Sequence, residues 1–332
     1  MNGSGVRVSR RQACGQIAGA LAAVSGFAPA VAAGYPDRAV KIVVPYAAGG
    51  GTDLAARVYA EALGTSLKQT FVVDNRPGAS GITGTSFVAK SPPDGYTLIL
   101  GGGAAMTINQ SIFASLPYDP VRDFVAISLA AKLPLVMVVS GDLPVKTVAE
   151  FIDYAKKQPQ GVTFSSPGTG TIIHLAGELF MARAGVKSLH IPYKGSSLGI
   201  TDVASGQVNV SFDGLSTSLP LIRSGKLRAL ALSTSQRNDL LPDVPTLQEA
   251  GFKDFDVSTW YAFFAPAKTP PDVVQRLSAE VNRIARSKAT LQLVGELGLM
   301  ATATTPEQLE QMVREEGVRW REVVQLAGIK PQ

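Results

Sequence analysis

Lys41–Arg57 reads KIVVPYAAGGGTDLAAR, and its punctuation decides the fold. The β-branched run Lys41–Val44 makes a strand that Pro45 stops. Gly49, Gly50 and Gly51 make a flexible turn, and Thr52 and Asp53 can cap a helix whose first residues are Leu54, Ala55, Ala56 and Arg57. Strand, glycine loop and helix in that order leave several N–H groups unpaired at the helix start, with the positive end of the helix dipole behind them. The natural guest above the strand is an anion, and glycine, lacking a Cβ, lets it lie against the backbone. Many α/β chains open with such a turn only to start a sheet, so the site has to be argued separately from the fold.

Working outward, Phe71–Asp74 is a second strand. It leads into the breaker-rich turn Asn75–Gly81 and a helix through Ala89, and Tyr96–Leu100 is a third strand ending in Gly101, Gly102 and Gly103. Alternating strand and helix predicts a parallel sheet with its loops gathered at one edge, so these glycine loops should face a common crevice. Leu135–Val139 is a further strand, followed by a helix over Val145–Gln158 with Lys156 and Lys157 in its last turn. Val162–Phe164, the loop Ser165–Thr171 (SSPGTGT) and a helix over Ile172–Arg183 then repeat the opening design. One such glycine loop would be an ordinary helix start; two in one chain favour a binding function.

Strands over His190–Tyr193, Val208–Phe212, Leu227–Leu232 and Trp260–Phe264 follow. Pro270, Pro271 and Asp272 start a helix reaching Ser287, and Thr305, Pro306 and Glu307 cap one running through Val324. The helix-rich C-terminal third can pack back on the first sheet. No repeat of fixed short period interrupts this order.

The 332 residues, 45% apolar and 17% charged, suffice for one large or two ordinary domains, and a positive mean hydropathy argues against disorder. Arg7, Arg10 and Arg11 precede an alanine-rich apolar stretch, Ile17–Phe27, and the small residues Val31, Ala32 and Ala33. That is the pattern of an export signal over residues 1–33. The pair Arg10–Arg11 resembles a twin-arginine signal, although Gln12, Ala13 and Cys14 depart from its usual continuation, which leaves the general secretory route open. The apolar run is short of the roughly 20 residues that span a bilayer. Without the three arginines of the signal the chain carries 28 basic and 26 acidic residues, net +2, which is no nucleic-acid footprint. Cys14, the only cysteine, leaves with the signal, so the mature chain is expected to have no disulfide, thiolate nucleophile or cysteine metal ligand. A soluble product is expected outside the cytoplasm.

Familiar catalytic constellations are missing. There is no H-E-x-x-H or G-x-x-x-x-G-K-[ST], and the Gly168–Gly170 loop has Ile173, followed by His174, where a dinucleotide loop would have its third glycine. His174 and Glu178 share a helix face at i, i+4, which could place two metal ligands, but nothing completes a set of three or four; His174 reads better as a hydrogen-bonding residue beside the glycine loop. His190 reads as structural. Asp53 is better explained as a cap than as a catalytic carboxylate. Asp213 ends a strand where the crevice should be and could orient water or accept from a ligand's donor. Tyr46 is the aromatic best placed to close over a guest.

With these residues in view, the chain resembles the Bug-type solute-binding proteins of tripartite tricarboxylate transporters from Tyr35 to Ile329. The marks are Tyr35–Pro36; Val44–Gly50 (VPYAAGG) with Asp53 and Arg57; Val73–Ala79 (VDNRPGA); Pro93–Thr97 (PDGYT); Leu116–Pro120 (LPYDP) with Asp123 and Phe124; Gly168–Gly170 with His174, Leu175 and Ala176; Pro192–Gly195 (PYKG); and Leu241–Thr246 (LPDVPT).

The resemblance implies an α/β, two-lobed Venus-flytrap fold like the type II periplasmic binding proteins. One lobe would be 34–133 plus 255–332, the other 134–254. Its members bind small carboxylates between the lobes through backbone amides and waters: dicarboxylates, tricarboxylates, amino acids or aromatic acids. The implied ligand-binding residues are Tyr46, Ala47, Gly49, Gly50, Ala104, Asn109, Ser166, Gly168, Thr169, Gly170, Thr171, His174 and Asp213, with no catalytic residue, metal or cofactor. The implied partners are the ligand and the integral-membrane permease subunits of a tripartite tricarboxylate transporter; the protein is expected in the periplasm, as a monomer, with no nucleic-acid partner. Two other readings stay open: a secreted enzyme using Asp213 and His174 as acid and base, and a sensor that docks on a signalling partner.

Overall fold

Val40–Val44 (β1) is the strand its β-branched run predicts, and after Pro45 the chain enters a 17-residue helix, α1 (Gly51–Leu67). The helix starts earlier than expected. Gly50 is its N-cap, in extended conformation, so Thr52 and Asp53 lie inside the first turn instead of capping it. The computed structural model describes residues 1–3, 34–193, 195–326 and 328–329. Apart from its first three residues, the expected export signal lies outside the described residues.

The chain continues through β2 (Phe71–Asn75), α2 (Ile82–Ala89) and β3 (Thr97–Gly102). Gly101 and Gly102 belong to the strand, and Ala104–Ile108 is a π turn running into one helical turn, Asn109–Ile112. Next come β4 (Phe124–Ser140), α3 (Val148–Lys156), β5 (Val162–Ser166), α4 (Ile172–Ala184), β6 (Ser188–Pro192), α5 (Ser196–Ala204), β7 (Val210–Gly214), α6 (Leu215–Arg223) and β8 (Leu227–Leu232). Last are β9 (Ser258–Pro266), α7 (Pro271–Ala285), α8 (Lys288–Glu296), β10 (Met300–Ala301) and α9 (Pro306–Leu326). Of these, α5 and α6 escape a sequence reading for a clear reason. The first mixes two serines, a glycine and a threonine with the β-branched Ile200 and Val203, all of low helix propensity, and the second contains Pro220.

The sheet is mixed, not parallel as the alternation suggested. Around β1, the strands β2 and β3 run parallel to it; around β5, so do β6 and β7. Between these two parallel groups stand antiparallel strands, giving the order β2-β1-β3-β9-β4-β7-β5-β6, with β8 and β10 also paired to β4. The 17-residue β4 is shared. Phe124–Pro134 pairs with β9, whereas Leu135–Val139 pairs with β7 and Val136–Ser140 with β8. The sequence revealed only the second half of this strand. Its first half, FVAISLAAKLP, has alanine, lysine and proline in place of a β-branched run.

Buried side chains fall into separate clusters. One gathers Val43, Val88, Ile99, Trp260, Phe264, Leu309 and Val313 around the first sheet. Another gathers Phe151, Phe164, Phe180, Phe212, Phe255 and Trp320 around the second. The helix α9 contributes to both: Leu309 and Val313 to the first, Trp320, Val323 and Val324 to the second. It therefore does more than pack back on the first sheet.

Candidate functional site

The loops that follow the parallel strands carry the predicted site residues. Tyr46 follows β1 and lays its ring over Gly81, where an added Cβ would sit 3.3 Å from it; Asn75 Nδ2 donates to the Tyr46 carbonyl at 3.1 Å. Ala47, Gly49 and Gly50 are exposed on the same loop. The Gly49 N–H, however, donates to Asp53 Oδ2 at 2.9 Å, and Arg57 Nε donates to that oxygen at 3.1 Å. Burial alone would raise the Asp53 carboxyl, but the Gly49 amide and the Arg57 guanidinium outweigh it and hold the group below its usual range. The start of α1 thus carries its own anion, and one loop amide is committed to it.

Ala104 opens the π turn, and Asn109 begins the helical turn that follows it. Asn109 Nδ2 donates to Ser80 O at 3.1 Å and to Tyr118 Oη at 3.3 Å, and that phenol donates to Ala105 O at 2.7 Å. Tyr46, Tyr118 and Tyr261 form a phenol cluster. Burial raises all three, Tyr46 further through its two neighbours, with Tyr118 and Tyr261 pushed up to about 12. All stay neutral hydroxyls at pH 7, able to donate and to accept. Tyr261 Oη lies under the start of α1, 2.8 Å from where a Cβ on Gly51 would be. Sequence reasoning singled out Tyr46 alone. Tyr261 read only as part of the strand Trp260–Phe264, and the pairing of β9 with β3, which sets Tyr261 opposite Gly102, shows where it goes.

The second cluster surrounds the end of β5. Ser166 Oγ donates to Gly168 O at 3.0 Å and accepts from Gly168 N at 3.2 Å. Gly168 and Gly170 have φ of +146° and +80°, which favour glycine. Thr171 caps α4: its hydroxyl accepts from His174 N at 3.3 Å and donates to Gly168 O at 2.8 Å. Thr169 is exposed. His174 is 2% exposed, its Nδ1 accepting the Gly170 N–H at 3.0 Å and its Nε2 lying 3.4 Å from Glu178 Oε1. Among the described residues no group of three or more His, Cys, Asp or Glu could hold a metal.

Asp213, 2% exposed, ends β7 where α6 begins. Its Oδ2 accepts from the Thr217 hydroxyl and from Ser218 Oγ, the latter at 3.1 Å. Burial raises this carboxyl, and the hydroxyls of Thr217, Ser196 and Ser218 with the Gly214 amide only partly offset it. The hydrogen bonds of Asp213 and of His174 run to separate sets of partners.

The two clusters touch. A Cβ on Gly170 would lie 2.4 Å from Ile112 Cδ1, at the end of the turn that follows β3, and one on Gly103 would lie 2.6 Å from Ile172 Cδ1, the first residue of α4. The start of α4 and the turn after β3 are therefore in van der Waals contact. Among the described residues, no helix is long and apolar enough to cross a membrane.

Residues 55–329 match the family model described as the tripartite tricarboxylate transporter family receptor. The chain is 37% identical over 316 residues to the protein BugT of Bordetella pertussis, covering 95% of this chain and 97% of that one. Among solved structures it is similar to R. palustris Rpa4515 with adipate, at TM-score 0.82 and 36% identity over 90% of this chain and 100% of that one. It is also similar to MatC from Rhodopseudomonas palustris with bound malate, at TM-score 0.76 and 31% identity over 87% of this chain and 100% of that one. The fold is accordingly α/β and two-lobed, of the type II periplasmic binding class.

Proposed function

This chain belongs to the tripartite tricarboxylate transporter receptor family, and from that premise we propose that it is a periplasmic solute receptor and not an enzyme. It captures a small carboxylate between its lobes and delivers it to the integral-membrane permease subunits of such a transporter. The lobes are 34–133 with 255–332, and 134–254; the change of partner along β4 between Pro134 and Leu135 supports the first boundary. The helix α9 belongs by sequence to the first lobe and buries Trp320 in the second.

The observation that carries this reading is the contact between the two loop clusters, Gly170 on Ile112 and Gly103 against Ile172. The start of α4, with its backbone amides and positive dipole end, meets the turn after β3 there, which suits an anionic ligand. Tyr46, against Gly81, and Tyr261, beneath the start of α1, add neutral donors. The ligands of the similar structures, adipate and malate, point to a dicarboxylate. Contacts made to both lobes favour the closed state, which the permease would read.

A thermal-shift screen of the exported protein against malate, adipate, citrate, amino acids and aromatic acids tests this. At 100-fold its Kd a ligand adds ~2.7 kcal/mol to stability. A shift with one carboxylate class and no product is expected. Turnover of a bound acid, or no shift with any member of the panel, would overturn the reading.

A further inference from the structure

Behind the glycine loop of the second cluster two imidazoles are stacked. The His174 and His190 rings have centroids 3.8 Å apart and planes 24° apart, and Phe164 stacks on His190 at 4.9 Å. The two rings come from different elements, α4 and β6, and each holds a different part of the loop. His174 Nδ1 accepts the Gly170 N–H at 3.0 Å. His190 Nε2 lies 2.6 Å from Ser166 Oγ, the hydroxyl that grips Gly168 through both its N–H and its carbonyl. Because Nδ1 of His174 accepts, the hydrogen of the neutral ring is on Nε2, facing Glu178 Oε1 at 3.4 Å.

We infer that His174 and His190 are positioning residues that preset the Gly168–Thr171 loop and so set ligand affinity without touching the ligand. The inference rests on the reading of that loop as a ligand-binding element. A loop with two glycines at positive φ loses much backbone entropy when it is ordered. Ordering it in advance removes that cost from binding. The arrangement also assigns His174 a different task from direct ligand recognition, since both of its ring nitrogens face groups of the protein itself.

Amide isosteres separate this role from mere packing. Asn places an acceptor where Nδ1 of histidine sits, and Gln places a polar group near Nε2. At position 174 the bond that matters is made by Nδ1, and at position 190 by Nε2. His174→Asn and His190→Gln are therefore expected to keep affinity within about threefold, while His174→Gln and His190→Asn lose about tenfold, the worth of one hydrogen bond. The measurement is isothermal titration with malate and adipate as probes. If both amides at a position fail alike, or both are tolerated, the pair only fills space and the inference falls.

A second readout needs no ligand. Ring ¹⁵N spectra of the free protein at neutral pH should show His174 protonated on Nε2 and bare on Nδ1; the opposite tautomer overturns the inference. Should the native protein bind neither probe, the dicarboxylate assignment fails, and these spectra still decide the brace on their own.

Discussion

Glu316 Oε2 accepts the indole N–H of Trp260 at 2.7 Å, tying the middle of α9 to β9. Trp320 donates to the same oxygen at 3.4 Å. Nε1 of Trp260 lies 3.3 Å from where a Cβ on Gly103 would be, so the pair sits beneath the place where Gly103 meets Ile172. Burial raises the Glu316 carboxyl, and the two indoles with Arg319 and Lys132 only partly offset it.

Two substitutions at Glu316 should part in sign. Glu316→Leu leaves a buried indole N–H without its acceptor and is expected to cost ~1–3 kcal/mol. Glu316→Gln keeps an acceptor and removes a desolvated charge, so at pH 7 its melting temperature should equal or exceed that of the native protein. A carboxyl raised by folding is penalised above its ordinary pKa, and the penalty disappears below it. The advantage of the glutamine variant should therefore vanish as pH falls through the ordinary glutamate range. Melting curves across pH check this, and a glutamine variant as unstable as the leucine one would contradict it.

Gly170 has φ +80° and no room for a Cβ, the nearest atom being Ile112 Cδ1. Gly170→Ala should lower stability by ~1–3 kcal/mol from left-handed strain and crowding together. Ile112→Val deletes the crowding atom, so the double variant should recover part of the loss. Urea unfolding of the two single variants and the double variant measures the coupling; purely additive effects would mean that Ile112 does not limit the site.

His190 supplies a pH dependence. Burial and then the neighbouring His174 push it down to about 3. In the unfolded chain an imidazole titrates near 6.5. The unfolded state therefore binds more protons between these values, and stability is full above the unfolded pKa and declines as pH falls below it, by up to ~1.4 kcal/mol per pH unit. The charged group facing this pair is Glu178, beside His174. Denaturant midpoints at pH 7.5 and pH 5 should separate the native protein from His190→Gln, the native losing more. Equal losses would show that His190 titrates normally in the fold.

Tyr46→Phe removes one hydroxyl from the phenol cluster. Carboxylate affinity is expected to fall about tenfold, whereas Tyr154→Phe, on α3, should leave it unchanged. Calorimetry with whichever acid the screen identifies gives the comparison, and equal affinities for the two variants would remove Tyr46 from the site.

Much of this architecture was written locally. The run KIVVPYAAGGGTDLAAR, the loop SSPGTGT and the β-branched strands beside them could be read because periodicity and breakers act over a few residues. So could the helix over 306–326, from Pro306 at its first position. The first half of β4 could not be read, since FVAISLAAKLP is a strand only because β9 lies beside it.

The site divides along the same line. Sequence alone determined the family resemblance, the two glycine loops and Tyr46, because those signals are carried by contiguous residues. Tertiary structure alone decided that Tyr118 and Tyr261 join Tyr46, that Asp53 claims the Gly49 amide, that Ile112 closes on Gly170, and that His190, which read as structural, stacks on His174. Most of these contacts join residues far apart in the chain. Their partners are selected by strand order and helix packing, which no local pattern of residues encodes.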